Sequence, residues 1–128
     1  TFYMKMTRAL AYIKRNGEHY ITLHKDKKLL RHGLRDLSYV ESQGHTLFYH
    51  FSGGVIDVRG KLAEQEKGIA AYGFARCNSC YLVNFAYISS VERLSVFLHD
   101  GTELRMSRAK RKDFLKKFGD YLGGGQIK

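Results

Sequence analysis

Short alternating segments separated by turn signals run through most of this chain, and they restrict its fold more than any other feature. In His19–His24, apolar Ile21 and Leu23 alternate with polar or aromatic neighbours, which is the two-residue period of a half-buried β-strand. Ser52-Gly53-Gly54 and Asp100-Gly101 supply the positive φ angles that tight hairpins need. The pattern therefore predicts a mostly β fold built from antiparallel strands.

Further segments of the same kind follow along the chain: Leu37–Glu41, Thr46–Phe51, Val55–Arg59, Ile88–Glu92, Leu94–His99 and Thr102–Met106. Three other stretches have helical spacing. Residues 2–15 form an amphipathic pattern, residues 61–70 a short helical one, and Arg108 to about Tyr121 a basic one after Ser107, a suitable N-cap. The sequence thus predicts peripheral helices around the sheet, including an N-terminal helix and a basic C-terminal helix.

Positive charge is confined to two segments. The 128 residues carry a formal net charge of +10. The windows 25–35 and 105–117 hold 12 of the 22 Lys and Arg residues but only 2 of the 12 acids, so the rest of the chain is neutral. A concentrated basic surface favours a polyanionic partner, because each neutralised phosphate releases counterions. The alternative is a solvated basic face that serves solubility.

The sequence argues against several classes of protein. The hydrophobic content of 44% argues against disorder. No apolar run approaches the ~20 residues of a membrane helix, and no signal peptide is apparent, so we expect a cytoplasmic protein without a membrane partner. Neither a phosphate-binding loop nor a catalytic triad pattern is present, so we expect a binding module that is not an enzyme and needs no cofactor.

Cys77 and Cys80 form a single C-x-x-C motif. A zinc site would need four ligands, and no second pair at ligand spacing supplies the others. Redox catalysis would need a thioredoxin-like βαβ setting, which the β-rich surroundings do not provide. We therefore expect no metal, and two reduced thiols at a loop.

The second half of the chain resembles a LytTR DNA-binding domain, the effector module of many bacterial two-component response regulators. The residues that carry the resemblance are Arg76, Tyr81–Asn84, Tyr87-Ile88, Asp100-Gly101 and Ser107-Arg108, with the upstream stretch Asp36–His50. Together they span roughly residues 18–120 in order. The resemblance implies a β fold that reads duplex DNA from loops at its edge.

The resemblance also implies specific DNA contacts. His45 and Arg108 match DNA-contacting positions of the family, and the guanidinium of Arg108 suits guanine or a phosphate. A solvated turn residue and a surface helix cation are the respective alternatives. Gln43, in the same turn as His45, is a further candidate DNA contact. We expect phosphate contacts from further cations near these positions or in the basic windows: Lys28, Arg31, Lys110 and Arg111.

Further candidate DNA contacts are Arg76 and, after it, the segment Asn78-Ser79-Cys80. Many relatives carry a histidine, a basic or amide residue and a serine here, so base reading could shift to the Asn78 amide, which can pair with adenine. Alternatively, Asn78 caps the following turn. Asn84 is expected to bond backbone groups inside the fold.

The resemblance implies further partners and boundaries. Residues 1–17 would be a helix or linker from an upstream receiver domain controlled by a histidine kinase, residues 18–122 the LytTR-like domain, and residues 123–128 a flexible tail. Paired repeat sites in DNA are implied, with the isolated domain a monomer or weak dimer.

Two other functions remain open. One is an RNA- or single-strand-binding β module, although most aromatic rings fall on apolar faces expected to form core: Phe48, Phe74, Phe97, Phe114 and Phe118. The other is a basic interaction or membrane-surface module that uses the C-terminal helix.

Overall fold

Antiparallel hairpins make up most of the structure, a computed structural model that describes residues 11–13 and 19–123. The strands, in chain order, are β1 (Ala11–Ile13), β2 (His19–Lys25), β3 (Lys28–Gly33), β4 (Leu37–Gln43), β5 (Thr46–Phe51), β6 (Gly54–Arg59), β7 (Phe74–Asn78), β8 (Tyr81–Asn84), β9 (Ile88–Glu92), β10 (Ser95–Leu98) and β11 (Glu103–Arg105). The α-helices are α1 (Leu62–Ile69) and α2 (Arg108–Gly123).

These strands form three antiparallel sheets. A central five-stranded sheet has the order β6-β5-β4-β8-β7 and lies between two smaller ones, β1-β2-β3 and β11-β10-β9. The mostly antiparallel β fold and the C-terminal helix are therefore confirmed.

Both faces of the central sheet are buried at β8, where successive side chains point to opposite faces. On β8, Leu82 and Val83 are both 0% exposed but belong to different cores. Leu82 packs in the first core with residues of β2, β4, β5 and α1, such as Ile21. Val83 packs in the second core with residues of β10, β11 and α2, such as Phe114. The sheet thus holds the two outer layers in fixed positions.

Asn84, at the end of β8, bonds to the backbone of neighbouring segments. Its side chain is 5% exposed. The amide nitrogen donates to the carbonyl oxygen of Leu37 at 2.8 Å, and the amide oxygen accepts from the nitrogen of Ala86 at 2.9 Å. The expected internal role of Asn84 is confirmed.

Several sequence predictions need correction. The N-terminal helix over residues 2–15 is wrong at Ala11–Ile13, a strand that pairs with residues 19–21 of β2; residues 2–10, 14 and 15 lie outside the described residues. Strand β3 (Lys28–Gly33) is missing from the predicted strands, and the turn before it contains no glycine. Asp26 and Lys27 adopt φ values of 51° and 66° there, a conformation that glycine usually provides.

The C-terminal helix continues to Gly123, beyond its predicted end near Tyr121. The rest of the predicted flexible tail, residues 124–128, lies outside the described residues. Of the aromatic residues expected in the core, Phe74 and Phe114 are buried and Phe118 packs against the second core. Phe48 and Phe97 are half-buried and belong to neither core.

We predict that Asn84→Ala lowers the free energy of unfolding by ~2–4 kcal/mol, because buried backbone groups then lose their partners. Asn78→Ala is a matched control. Asn78 also accepts a bond from the nitrogen two residues later, but it is only half-buried, so water can replace the lost bonds. Urea unfolding of the two variants measures the difference. Equal losses would contradict the role assigned to burial.

Candidate nucleic-acid interface

The β4–β5 turn presents two of the predicted site residues to solvent. Gly44 adopts a φ of 62°, and Gln43 and His45 are exposed. The turn is fixed at its base, since the nitrogen of Gly60 donates to the carbonyl oxygen of His45 at 2.9 Å. Gln43 donates from its side chain to the carboxylate of Glu41 at 3.0 Å. The His45 imidazole forms no bond to another described residue and is free to contact a ligand.

The β7–β8 turn is organised by Asn78. Its side-chain oxygen accepts from the nitrogen of Cys80 at 2.6 Å, and its side-chain nitrogen donates to the carbonyl oxygen of Arg105 at 2.6 Å. This is the turn-capping alternative. A bidentate contact to adenine would require bonds to both amide atoms, which are already engaged within the protein. Ser79 and Cys80 are exposed at the tip of this turn.

Helix α2 begins beside that turn. The hydroxyl of Ser107 accepts from the nitrogen of Lys110 at 3.2 Å, so the predicted N-cap is confirmed. The nitrogen of Ser107 donates to the carbonyl oxygen of Cys77 at 2.9 Å, which ties the helix start to β7. Arg108 is exposed, and within the described part of the chain its side chain has no hydrogen bond or ion pair.

Hydrogen bonds bring the three segments to one edge of the fold. The nitrogen of Ser42, next to the β4–β5 turn, donates to the carbonyl oxygen of Cys80 at 2.8 Å. The bonds of Asn78 and Ser107 continue this connection to α2. We call the group Gly44-His45, Ser79-Cys80 and Ser107-Arg108 the turn edge.

Arg76 does not reach this edge as a free cation. Its guanidinium donates to the carboxylate of Glu66 on α1 at 3.1 Å and to the carbonyl oxygen of Ser79 at 3.2 Å. Its side chain is 17% exposed. In this structure Arg76 therefore holds the β7–β8 turn in position, and its geometry does not favour the predicted DNA contact.

The predicted phosphate-binding residues are divided between different surfaces. Arg111 lies one turn after Arg108, on the same side of α2. Lys110 is half-buried. On α2 it lies on the other side of the buried Phe114 from Arg111. Lys28 begins a strand beside Lys25, which is bonded to Asp57 in the middle of β6.

Arg31 lies still farther from the turn edge. Its guanidinium packs on the Tyr20 ring at 4.1 Å from the centroid. The neighbouring His32 stacks on Phe51 at the far end of β5. Strand β3 therefore runs away from the turn edge after Lys28, and the structure does not bring Arg31 to it. The β2–β3 turn itself lies near the β4–β5 turn, since Asp26 and Thr46 line one depression.

Two arginines near the turn edge were missed as site residues. Arg105 lies in the second basic window, but its position on an exposed strand face becomes clear only from the pairing of β10 with β11. Arg93 is in neither window, and it reaches the start of α2 through the β9–β10 turn. Its carbonyl oxygen accepts from the guanidinium of Arg111 at 3.0 Å. No sequence signal identifies this long-range contact.

The imidazole of His50 lies toward the far end of β5 and adds no positive charge at neutral pH. Its ring stacks on Tyr39 at 4.0 Å, and its Nε2 is 3.6 Å from the Glu41 carboxylate. Burial lowers the pKa of His50 below the usual 6.5, and this effect outweighs the opposing influence of Glu41. At the turn edge itself, Arg108 supplies the positive charge of a guanidinium.

Within residues 11–13 and 19–123, no group of three or more His, Cys, Asp or Glu residues could hold a metal ion. None of the helices in this part of the chain is long and apolar enough to cross a membrane.

Comparison with known proteins identifies the family. The model of the LytTr DNA-binding domain matches residues 27–119, which is more than half of the chain. This chain belongs to the LytTR family. Among solved structures, it is similar to the LytTr DNA-binding domain of a protein described as a methyl-accepting/DNA response regulator from Bacillus cereus. The TM-score is 0.68 at 17% identity, over 78% of this chain and 96% of that chain. A search of curated proteins finds no match.

The two cysteines of this LytTR domain have different environments. Cys77 is 0% exposed on β7, where burial raises the pKa of its thiol to about 12. Cys80 is exposed on the turn edge. The expectation of two thiols at a loop is therefore wrong for Cys77, whose side chain is part of the second core.

We predict that iodoacetamide alkylates Cys80 rapidly and Cys77 only after unfolding, because the thiolate is the reactive form and must be accessible. Mass spectrometry of native and urea-unfolded protein would follow both sites. The Cys80→Ser variant should lack the rapid reaction. Similar native rates at the two cysteines would show that Cys77 is not enclosed as described.

Proposed function

We propose that this LytTR domain binds specific sites in duplex DNA and acts as the output domain of a transcriptional response regulator. The observation that carries the proposal is the turn edge, where two exposed turns and the start of α2 are joined by hydrogen bonds. Loops held by a rigid scaffold suit recognition, because their side chains lose little conformational freedom on binding.

The roles of individual residues follow from their contacts. Arg108 projects from the first turn of α2, and its guanidinium can donate two bonds to O6 and N7 of guanine in the major groove. His45, exposed on the neighbouring turn, can reach the same groove. Ser79 lies between these residues and can contact the sugar-phosphate backbone, while Arg76 and Asn78 keep its turn in place.

The other parts of the proposal concern the full protein. A response regulator would couple the domain to a receiver domain and a histidine kinase in the cytoplasm. Binding at paired repeat sites would then depend on association through that receiver, because the isolated domain is expected to be a monomer or weak dimer. Membership of a DNA-binding family supports these roles and favours a function other than catalysis.

We predict that Arg108→Ala weakens binding to the specific site by ~1–3 kcal/mol and affects a scrambled duplex much less, because a base contact is lost. The specific site is first selected from randomised duplexes with the unmodified domain. Titrations of the selected and scrambled duplexes at one salt concentration then give the two affinities. We expect His45→Ala to behave in the same way.

Lys116→Ala is the control, because Lys116 is exposed on α2 two turns beyond Arg108. It should weaken both duplexes equally and only slightly. If Arg108→Ala lowers both affinities by the same factor, Arg108 does not read sequence. Stronger binding to single strands or to anionic vesicles would overturn duplex DNA as the ligand.

A further inference from the structure

An open concavity of about 900 Å³ lies between the start of α2 and the outer face of the sheet β11-β10-β9. Four arginines line it: Arg93, Arg105, Arg108 and Arg111. They come from a turn, a strand and a helix, so the sequence does not show that they meet. We call this concavity the arginine pocket.

The backbone around the arginine pocket is fixed from two sides. The nitrogen of Met106, just before α2, donates to the carbonyl oxygen of Leu94 at 2.9 Å. The guanidinium of Arg111 donates to the carbonyl oxygen of Arg93 at 3.0 Å. The β9–β10 turn and the helix start are therefore held together, and their charged side chains are collected around one opening.

Arg93 adopts a left-handed conformation with φ of 53°. Glycine or asparagine would fit this turn with less strain. Asp26 and Lys27 adopt the same conformation, so this strain by itself does not mark a binding residue.

The charge of the arginine pocket is not balanced by the protein. Glu92 is the acid that lines it, and Glu103, on the neighbouring strand, accepts a bond from the hydroxyl of Ser95 at 2.6 Å. None of the four arginines forms an ion pair with an acid among the described residues. Guanidinium groups gathered in this way repel one another, and an anion bound among them would relieve the repulsion.

We propose that the arginine pocket is a phosphate site, in which Arg93 and Arg105 hold a phosphodiester of the DNA backbone next to the base contacted by Arg108. This inference rests on the proposed function and assigns binding roles to two further residues. Contacts to phosphate set the position of a protein on a duplex, and base contacts then set its sequence preference. Arg93 and Arg105 thus supply affinity for any duplex, and Arg108 supplies the preference for the specific site.

The test combines Arg93→Asn with Arg105→Gln. Asparagine tolerates the left-handed conformation, so the turn is preserved while the charge is lost. The matched control combines Lys27→Asn, also at a left-handed position, with Lys67→Gln on α1. Both lysines are exposed and lie outside the arginine pocket, so the two double variants lose equal charge.

We expect the arginine double variant to lose affinity for selected and scrambled duplexes by the same factor. The slope of log K against log salt should become shallower by about 2, because two cations are lost and each phosphate contact contributes about 1. The lysine double variant should retain most of the slope. Unchanged affinity and slope in the arginine variant, beside normal binding by the unmodified domain, would show that the pocket does not hold phosphate. Loss of affinity for the selected duplex alone would also contradict the proposal.

A second arm separates this inference from the proposed function. Inorganic pyrophosphate is titrated while amide NMR signals of the unmodified domain and the arginine variant are recorded. If the unmodified domain binds no duplex, the proposed function is wrong. Amide shifts at positions 93 and 105 that are present in the unmodified domain and absent in the variant would then support a phosphate site for a free phosphorylated ligand. Absence of shifts in that case would overturn the arginine pocket as well.

Discussion

The burial of both faces of β8 is the constraint on which the rest of the structure depends. Leu82 and Val83 enter different cores at adjacent positions, so each half of the fold needs the same strand in the same register. A shift by one residue would exchange the two faces and disrupt both cores. Asn84 strengthens this arrangement, because its amide bonds backbone groups near β4 and after β8. The central sheet therefore has little freedom to move relative to its outer layers.

The turn edge is held in place by its bonds to the central sheet. Its segments are joined to the central sheet and to one another by backbone bonds that involve Ser42, Cys77 and Cys80. Arg76 and Asn78, both predicted as DNA contacts, are engaged in supporting the turn between them. The exposed side chains that remain, above all His45 and Arg108, project from fixed positions. Such an arrangement favours recognition by geometry, whereas the lysines at the solvent-exposed side of α2 can contribute charge with little directional preference.

Particular residues show where sequence reasoning succeeds and fails. Thr46–Phe51 and Ile88–Glu92 form the predicted strands with the predicted bounds, because alternation and nearby turns specify them locally. The helix predicted over residues 2–15 fails at Ala11–Ile13, where pairing with β2 overrides the apolar spacing. Cys77 appears in the sequence as half of a C-x-x-C motif, yet its burial follows from packing against residues distant in the chain. The sequence placed Arg31 in a basic window, but strand direction carries it away from the turn edge.

The sequence by itself determined the β class, most hairpins, the C-terminal helix with its Ser107 cap and the family, since these depend on alternation, turn residues and ordered motifs. It also placed Arg108 at a helix start. Tertiary structure alone decided that Arg76 and Asn78 hold a turn and that Arg93 and Arg105 join Arg108 around one pocket. These outcomes depend on pairing between distant segments, and local sequence patterns do not specify which strand edges meet. Physical proximity in the folded chain, more than sequence spacing, therefore defines the candidate interface.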